Sequence, residues 1–178
     1  MTEIITGTER IYEGKVINLR VDTVQLQNSK FSKREIVEHH GAVAIVPVYD
    51  DGTVALVKQF RLAANQVMLE IPAGSIEAGD AALETAHREL AEEVHLQASE
   101  MTHLFSSFVA PGYSTELIHT FLAAGLTAKT LPGDEDEFLH IIRLPLSTVI
   151  EKIETGEIID SKSIAALLYV ERHLRKAL

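Results

Sequence analysis

A single acidic helical segment, placed between runs of β-type sequence, constrains the fold of this 178-residue chain most strongly. Between Ala81 and Val94, apolar residues recur at the three- and four-residue spacing of one helix face. These residues are Leu83, Ala86, Leu90 and Val94. Asp80 precedes the segment and is a predicted N-cap. Because such a helix has one apolar stripe, we expect it to cover a sheet rather than to stand alone.

Strands are predicted on both sides of this helix. The apolar runs 42–48 and 53–57 are joined by Asp50-Asp51-Gly52, which predicts a hairpin. Further strands are predicted at residues 67–72, 103–109, 117–124 and 138–144.

Two helices are predicted after the last strand. The first is capped by Ser147, runs to Thr155 and stops at Gly156, and the second is capped by Asp160 and Ser161. The predicted buried side of the second helix comprises Ile164, Leu167, Leu168, Val170 and Leu174. This order predicts an α+β fold, with a mixed sheet that helices cover on both faces.

The N-terminal part of the chain has a different pattern. Residues 10–39 alternate apolar and polar residues in stretches, which predicts two or three antiparallel strands with a turn near Gln27-Asn28-Ser29. The apolar positions are Val16, Leu19, Val21, Val24 and Leu26. A ribbon of this size has little core of its own and needs a partner surface. We therefore predict a β-sheet annex at residues 1–40 and a main domain at residues 41–178.

Composition narrows the possible partners and the compartment. The net charge of −10 disfavours nucleic acid, whose phosphates the mean field would repel. There are no cysteines, which removes disulfides, thiolate metal sites and cysteine nucleophiles. No apolar run is long enough for a membrane span, and the N-terminus has no apolar signal-like core. We expect a cytoplasmic protein without a membrane or nucleic-acid partner.

Three glutamates cluster on the central helix. Glu89, Glu92 and Glu93 are separated by three and four residues, so they share one helix face. From the helical repeat, Glu89 and Glu93 lie beside the apolar stripe, at the edge of the core. Carboxylates in this arrangement suit Mg²⁺ or Mn²⁺, which prefer oxygen ligands. The alternative is a solvated acidic face on which Arg88 pairs with Glu84 and Glu92.

The sequence around these acids favours the metal site. The stretch from Gly74 to Leu96 resembles the Nudix box, G-x5-E-x7-R-E-U-x-E-E-x-G-U, where U is a bulky apolar residue. The matching residues are Gly74, Arg88, Glu89, Leu90, Glu92, Glu93 and Leu96. Two positions depart from the pattern, because Asp80 replaces a glutamate and His95 replaces a glycine. The second departure removes the usual flexible exit of the helix.

The resemblance implies a role for each matching position. Glu89 and Glu93 would be direct metal ligands, and Glu92 would be a ligand or a close support. Arg88 would orient the acids through charge-assisted hydrogen bonds. The backbone carbonyl of Ala73 would be a further metal ligand. The implied fold is the Nudix α/β/α sandwich with a small N-terminal antiparallel sheet.

Two segments outside the box resemble the ADP-ribose pyrophosphatase branch of this family. Glu70-Ile71-Pro72-Ala73-Gly74 resembles its E-[IL]-P-A-G lead-in, and residues 110–116 resemble its S-P-G-[FY]-x-x-E segment. In the second segment Pro111 matches the pattern, Ala110 replaces the usual serine, and Glu116 resembles the acid that reaches the terminal ribose. The alternative for this segment is an ordinary Pro-Gly turn between strands.

Two further segments complete the predicted site. In this branch an acidic loop supplies a catalytic base and a metal ligand, which implies Glu135 as the base and Glu137 as the ligand. The alternative for this acidic run is an ordinary exposed loop. Lys58-Gln59-Phe60-Arg61 resembles the branch's V-[RK]-Q-[YF]-R stretch. Arg61 is a candidate for a bidentate phosphate contact, with a structural ion pair as the alternative.

The resemblance implies an enzyme that uses Mg²⁺, with Mn²⁺ as an alternative, to hydrolyse ADP-ribose to AMP and ribose 5-phosphate. Three other functions stay open. The first is hydrolysis of another nucleoside diphosphate sugar such as GDP-mannose, the second is a nucleotide-binding regulator without turnover, and the third is an acidic interaction domain. The substrate-binding candidates are Arg61, Glu70, Pro111 and Glu116. The resemblance also implies a homodimer built through the N-terminal sheet.

Overall fold

A computed structural model describes residues 2–133 and 138–174 of the chain. The strands are β1 (Ile4–Glu13), β2 (Asn18–Gln25), β3 (Phe31–Glu38), β4 (Ala42–Pro47), β5 (Thr53–Arg61), β6 (Gln66–Glu70), β7 (Ala73–Ser75), β8 (Leu96–Phe108), β9 (Leu117–Ala128) and β10 (His140–Pro145). The helices are α1 (Ala82–Glu93), α2 (Leu146–Glu154) and α3 (Ser161–Leu174). Within these described ranges, no helix has the length and apolar character that crossing a membrane would require.

The chain divides into two units. The first comprises Met1–Gly41 and Ser107–Leu117, and the second comprises Ala42–Ser106 and Ile118–Leu178.

The first unit contains a three-stranded antiparallel sheet in the order β1-β2-β3. The turn between β2 and β3 lies where the sequence predicted it, and Ser29 takes the left-handed conformation there (φ 63°). Asp22 on the central strand is 2% exposed. A hydrogen bond from Thr8 Oγ1 and the ion pair with Arg20 outweigh its burial, so the pKa of Asp22 is lowered. β1 is exposed along its whole length.

The second unit contains a mixed four-stranded sheet, in the order β7-β4-β9-β8, and a three-stranded sheet, β10-β5-β6. β4 runs parallel to β9 and antiparallel to β7. The predicted hairpin of residues 42–57 is wrong, because β4 and β5 belong to different sheets and the two runs share only the bridge Val48↔Val54 among the described pairings.

The sequence contains a physical reason for this separation. Tyr49 donates to the carbonyl of Thr53, so the next hydrogen-bonded pair of a hairpin ladder would be Pro47 and Ala55. Proline has no N–H to donate, so the ladder ends at the turn.

The buried strands of the second unit contribute to two cores. Ala44 and Val46 of β4 pack in a core that includes Val149 of α2 and Leu167 of α3. The alternate residues of the same strand pack on the other side, in a core that includes Leu90 of α1. Helices therefore cover both faces of the sheet, which confirms the predicted α+β class.

Two residues that were predicted to lie on buried helix faces are solvent-exposed. They are Leu83 and Leu168, which are 47% and 42% exposed. The side chain of Leu174 lies outside the described residues.

The helix ends follow the predicted caps only in part. Asp160 accepts the N–H of Ser163 at 3.0 Å and caps α3. Gly156 follows the end of α2 in the left-handed conformation. Asp80 is not the cap of α1, because its N–H closes a turn onto Glu77 and the helix begins two residues later. Ser147 is also not a cap, since α2 begins one residue before it, after Pro145.

His95 occupies the exit of α1 in the conformation that glycine favours. Its φ is 58°, so the backbone path survives the replacement of the glycine that the box pattern has at this position. A left-handed conformation costs an ordinary residue about 1–2 kcal/mol. Replacing His95 with Gly is therefore expected to raise the free energy of unfolding by roughly 1 kcal/mol, after the entropy cost of glycine is subtracted. Urea denaturation would measure the change.

The matched control for this substitution is Asn65→Gly. Asn65 is also left-handed, with a φ of 52°. Asparagine tolerates this region well, so its replacement should change stability by about a few tenths of a kcal/mol at most. A loss of stability in His95→Gly would contradict the expectation.

Asp51 stabilises the turn between β4 and β5. Its carboxylate accepts hydrogen bonds from the Thr53 side chain and backbone and from Arg143, which together lower its pKa to about 2. The guanidinium of Arg143 also lies 3.6 Å above the ring of Tyr49.

Because the folded-state pKa of Asp51 is depressed, its contribution to stability is present above the unfolded-state pKa and is lost as the pH falls toward the folded-state pKa of about 2. We expect Asp51→Asn to be less stable than the parent near neutral pH, with the difference shrinking as the solution becomes strongly acidic. Denaturant titrations across this range would test this. Asp50→Asn removes the neighbouring charge and is the control. A difference that does not change with pH would contradict the linkage.

Candidate active site

The two acids predicted to bind metal lie on the buried edge of α1. Glu89 is 8% exposed and Glu93 is 4% exposed. Their neighbours Ala86 and Leu90 are fully buried in the core of the second unit, so the apolar stripe holds the acids against the sheet. The expectation from helical spacing, that these carboxylates sit at the core edge, is confirmed.

Strand β7 packs directly against both acids. The N–H of Ala73 donates to Glu93 Oε2 at 2.9 Å. Gly74 lies so close to the other acid that a Cβ atom at this position would be 2.0 Å from the carboxylate carbon of Glu89. The glycine of the box is therefore required for close approach, since any side chain would occupy the space of the Glu89 carboxylate.

Arg88 contacts two of the clustered acids. Its Nη2 lies 2.8 Å from Glu89 Oε1, and its Nη1 lies 2.7 Å from Glu92 Oε2. Burial lowers the pKa of Arg88, but the charges of these two glutamates outweigh burial and raise it. The alternative pairing with Glu84 is absent from the ion pairs of the described residues. Arg88 instead links an acid at the core edge with a more accessible one.

Arg61 and Glu70 form a paired group next to this cluster. Arg61 donates from Nε and Nη2 to the two carboxylate oxygens of Glu70, at 2.8 and 2.9 Å. Glu70 is 1% exposed and also forms an ion pair with Lys162. Burial raises the pKa of Glu70, but the bonds from Arg61 and Lys162 outweigh it and lower the pKa. The bond to Glu70 is the main cause of the raised pKa of Arg61, and the charge of Glu93 adds to it.

Two groups near this pair were not predicted as site residues. Lys162 lies in a helix without any motif, and its contact with Glu70 joins residues 92 positions apart, so no local pattern reveals it. Gln59 is 8% exposed, and its Oε1 is buried without a hydrogen-bond partner in residues 2–133 and 138–174. This unpaired buried amide oxygen marks Gln59 as a candidate site residue, and it can be recognised only in the structure.

The remaining predicted residues are distributed as follows. Pro111 and Glu116 belong to the first unit, where Pro111 lies in an exposed turn closed by Tyr113 N–H and Ser114 N–H onto the carbonyl of Ala110. Glu135 and Glu137 lie outside the described residues. The segment before them runs along the end of α1, since Leu131 donates to the carbonyl of Ala91 at 3.2 Å.

The donor set of the site fits a hard divalent cation. Glu89 and Glu93 provide buried carboxylate oxygens, and the backbone of Ala73 lies beside them. Mg²⁺ binds such oxygen ligands and commonly relies on substrate phosphates and water for the rest of its shell. Within the part of the chain that the structure describes, no three acidic or histidine side chains converge on one metal position. A protein-only cage of that kind is not required for Mg²⁺.

Comparison with known proteins gives the family and the fold of the chain. The model of the NUDIX domain family matches residues 38–167. An ADP-ribose pyrophosphatase of Bacillus subtilis (strain 168) is 41% identical over 100% of this chain and 96% of its own length. A methanol dehydrogenase activator of Bacillus methanolicus is 40% identical over 92% of this chain and 90% of its own. A crystal structure of an ADP compounds hydrolase has a TM-score of 0.89 and 25% identity, over 99% of this chain and 96% of that one.

The protein belongs to the Nudix family. It is a Nudix hydrolase with the fold of the ADP compounds hydrolases. The family assignment made from the box and from the Glu70–Gly74 segment is therefore confirmed.

Proposed function

We propose that the protein hydrolyses the diphosphate of ADP-ribose to AMP and ribose 5-phosphate with Mg²⁺ as its metal. The observation that carries this proposal is the packing of Ala73 and Gly74 against Glu89 and Glu93. That packing places two carboxylates and the Ala73 peptide at one buried edge. A divalent cation bound there would offset the carboxylate charges and would also bind the diphosphate. The name of the Bacillus subtilis relative supports ADP-ribose as the substrate.

Glu89, Glu93, the carbonyl of Ala73 and Glu137 would hold the metal, with Glu92 as a ligand or support. When bound, the metal would neutralise phosphate charge and acidify the attacking water. Mn²⁺ fits the same oxygen donors. Arg88 would keep Glu89 and Glu92 in place through its two ion pairs.

Glu135 is the proposed base that accepts the proton of the attacking water. Gly133 supports this role, because a Cβ built on it would lie 3.8 Å from the carbonyl oxygen of Glu92. Gly133, the residue that precedes the acidic segment in the sequence, therefore lies beside the helix that carries the proposed metal ligands. A base must come within hydrogen-bond reach of the water, either directly or through one further water.

Arg61 is the proposed phosphate contact. Its bonds to Glu70 use Nε and Nη2, and its side chain is 40% exposed. Among the hydrogen bonds of the described residues, Nη1 has no acceptor, so it would donate to a phosphate oxygen. Glu70 would then act on the substrate through Arg61, by fixing the guanidinium.

Three further residues are proposed to contact other parts of the substrate. Gln59, with its unpaired amide oxygen in the described part of the chain, is a candidate acceptor for a substrate hydroxyl or amino group. Pro111 and Glu116 are proposed for the terminal ribose.

A second candidate is a regulatory role, supported by the name of the Bacillus methanolicus relative at 40% identity. The two functions make different demands on the chain, since activation of a partner enzyme needs a protein surface in addition to the site.

Hydrolysis assays with ADP-ribose, GDP-mannose, UDP-glucose and NADH, with and without Mg²⁺, would test the proposal. We expect Mg²⁺-dependent release of AMP from ADP-ribose to exceed cleavage of the others. Preferred cleavage of GDP-mannose would keep the metal site but contradict the substrate. Metal-dependent ligand binding without turnover would favour the regulator.

The first unit is proposed to form a homodimer. β1 exposes Ile4, Ile5, Ile11 and Tyr12, each by at least half of its surface. Apolar side chains grouped on an exposed edge strand are typical of a surface that a partner covers. Light scattering coupled to size exclusion should give twice the 19.6 kDa chain mass, and a monomer would contradict the proposal.

The absence of cysteine and the net charge of −10 support a cytoplasmic protein that does not bind nucleic acid.

A further inference from the structure

The first turn of α3 contacts the segment that carries the Ala73 carbonyl. Three residues at this turn are involved, namely Asp160, Lys162 and Ser163. Ser163 is fully buried, although serine is usually found at protein surfaces. We call these three residues the α3 brace.

Ser163 uses its hydroxyl group in two directions. The oxygen accepts the N–H of Ile71 at 2.9 Å, and the hydroxyl donates to Asp160 Oδ2 at 2.5 Å. Ile71 is fully buried, so its N–H has no access to water. The Ser163 hydroxyl can accept from Ile71 and donate to Asp160 through one oxygen atom, whereas the methyl group of an alanine could make neither bond.

Lys162 connects the first turn of α3 with Glu70, the residue before Ile71. Its Nζ forms ion pairs with Glu70 Oε2 and with Asp160 Oδ2. The Lys162 side chain is 14% exposed and that of Glu70 is 2% exposed, so these charges are poorly screened by solvent. The brace therefore holds residue 70 through its side chain and residue 71 through its backbone.

The segment from Glu70 to Gly74 is consequently fixed from three directions. α3 holds Ile71, the N–H of Ile45 on β4 donates to the carbonyl of Pro72 at 2.9 Å, and Glu93 of α1 accepts the N–H of Ala73. Because proline has a fixed φ, the backbone between the Ile71 N–H and the Pro72 carbonyl has little conformational freedom. Loss of one anchor would let the Ala73 peptide shift relative to the acids of α1.

We propose that the α3 brace is a positioning device for the metal site, and that Ser163 and Lys162 set the affinity of the site for a divalent cation. This inference rests on the proposed function for the identity of the metal site, but not on the substrate. It assigns a role at the site to residues that touch neither metal nor substrate, and that act through the Ala73 peptide.

Mn²⁺ binding without nucleotide, followed by the electron paramagnetic resonance signal of free Mn²⁺, would test the proposal independently of turnover. We expect Ser163→Ala to raise the dissociation constant by about tenfold, within the range known for outer-shell partners of metal ligands. Ser163→Thr keeps the hydroxyl and should stay within about threefold of the parent. Val149→Ala is the matched control, because it removes core volume from the same unit and should lower stability without weakening Mn²⁺ binding.

A second pair of variants covers the case in which Ser163→Ala does not fold. Lys162→Met should weaken Mn²⁺ binding by a few-fold, and Lys162→Arg, which keeps the charge, should restore it. Parent-like affinity in both Ser163→Ala and Lys162→Met would overturn the proposal, as would equal weakening in Val149→Ala. A parent protein that binds no Mn²⁺ would overturn it together with the metal site. Weakened Mn²⁺ binding in variants of a protein that does not cleave ADP-ribose would support the brace and contradict only the proposed substrate.

Discussion

Glu93→Gln is expected to reduce the turnover of ADP-ribose by roughly 10³-fold, equivalent to about 4 kcal/mol of transition-state stabilisation. The substitution removes the negative charge that a divalent cation needs. It keeps an oxygen that can still accept the N–H of Ala73, so the contact that positions β7 survives. Initial rates at saturating Mg²⁺ and ADP-ribose would measure the loss.

Glu84→Gln is the control for this experiment. It makes the same chemical change on the same helix, but at an exposed position in the first turn. We expect parent-like turnover in Glu84→Gln and a similar melting temperature in both variants. Parent-like turnover in Glu93→Gln would remove this residue from the metal site, and a large drop in its melting temperature would assign it a structural role.

Gly74→Ala is expected to lower turnover by about 100-fold with little loss of stability, since misplacing a catalytic group by about 1 Å can cost on the order of 10²-fold in rate. The new methyl group would lie 2.0 Å from the carboxylate carbon of Glu89. The atoms in its way are the end of a flexible side chain, so the carboxylate can swing aside while the backbone stays in place. Steady-state kinetics with varied Mg²⁺ would show the loss, together with a higher Mg²⁺ concentration at half-maximal rate.

Gly7→Ala is the matched control, since a Cβ at Gly7 would meet no atom of the described residues within 4 Å. Its activity and melting temperature should equal those of the parent. The double variant Gly74→Ala/Glu89→Gln adds a sharper test. If the methyl group acts by displacing Glu89, the two effects should not add, because both remove the same carboxylate. Full additivity would show that Gly74 acts elsewhere.

The parts of the site that depend on short-range geometry could be predicted from the sequence. Glu89 and Glu93 are four residues apart and flank an apolar stripe, so their location at the core edge follows from helix periodicity alone. The cap of α3 at Asp160 and the stop after α2 at Gly156 are also local. The prediction of Asp80 as a cap of α1 was wrong, because the preceding turn at Gly79 uses that residue before the helix begins.

Strand pairing was predicted less well than strand existence. The runs that form β4 and β5 were recognised, but a turn with favourable residues was interpreted as a hairpin. Because Pro47 has no N–H to donate, the ladder between the two strands ends at the turn, and the strands belong to different sheets. Which strands then become neighbours depends on the packing of the whole unit.

By itself, the sequence determined the family, the two buried acids and the class of metal that they fit, because a fixed spacing on one helix places charges without help from the rest of the chain. Only the tertiary structure decided how these acids are supported. The close contact of Gly74 with Glu89, the ion pair of Lys162 with Glu70, and the bond from Ile71 to Ser163 each join separate elements. Such contacts depend on long-range packing, in which a buried polar group takes whichever partner the fold brings within reach.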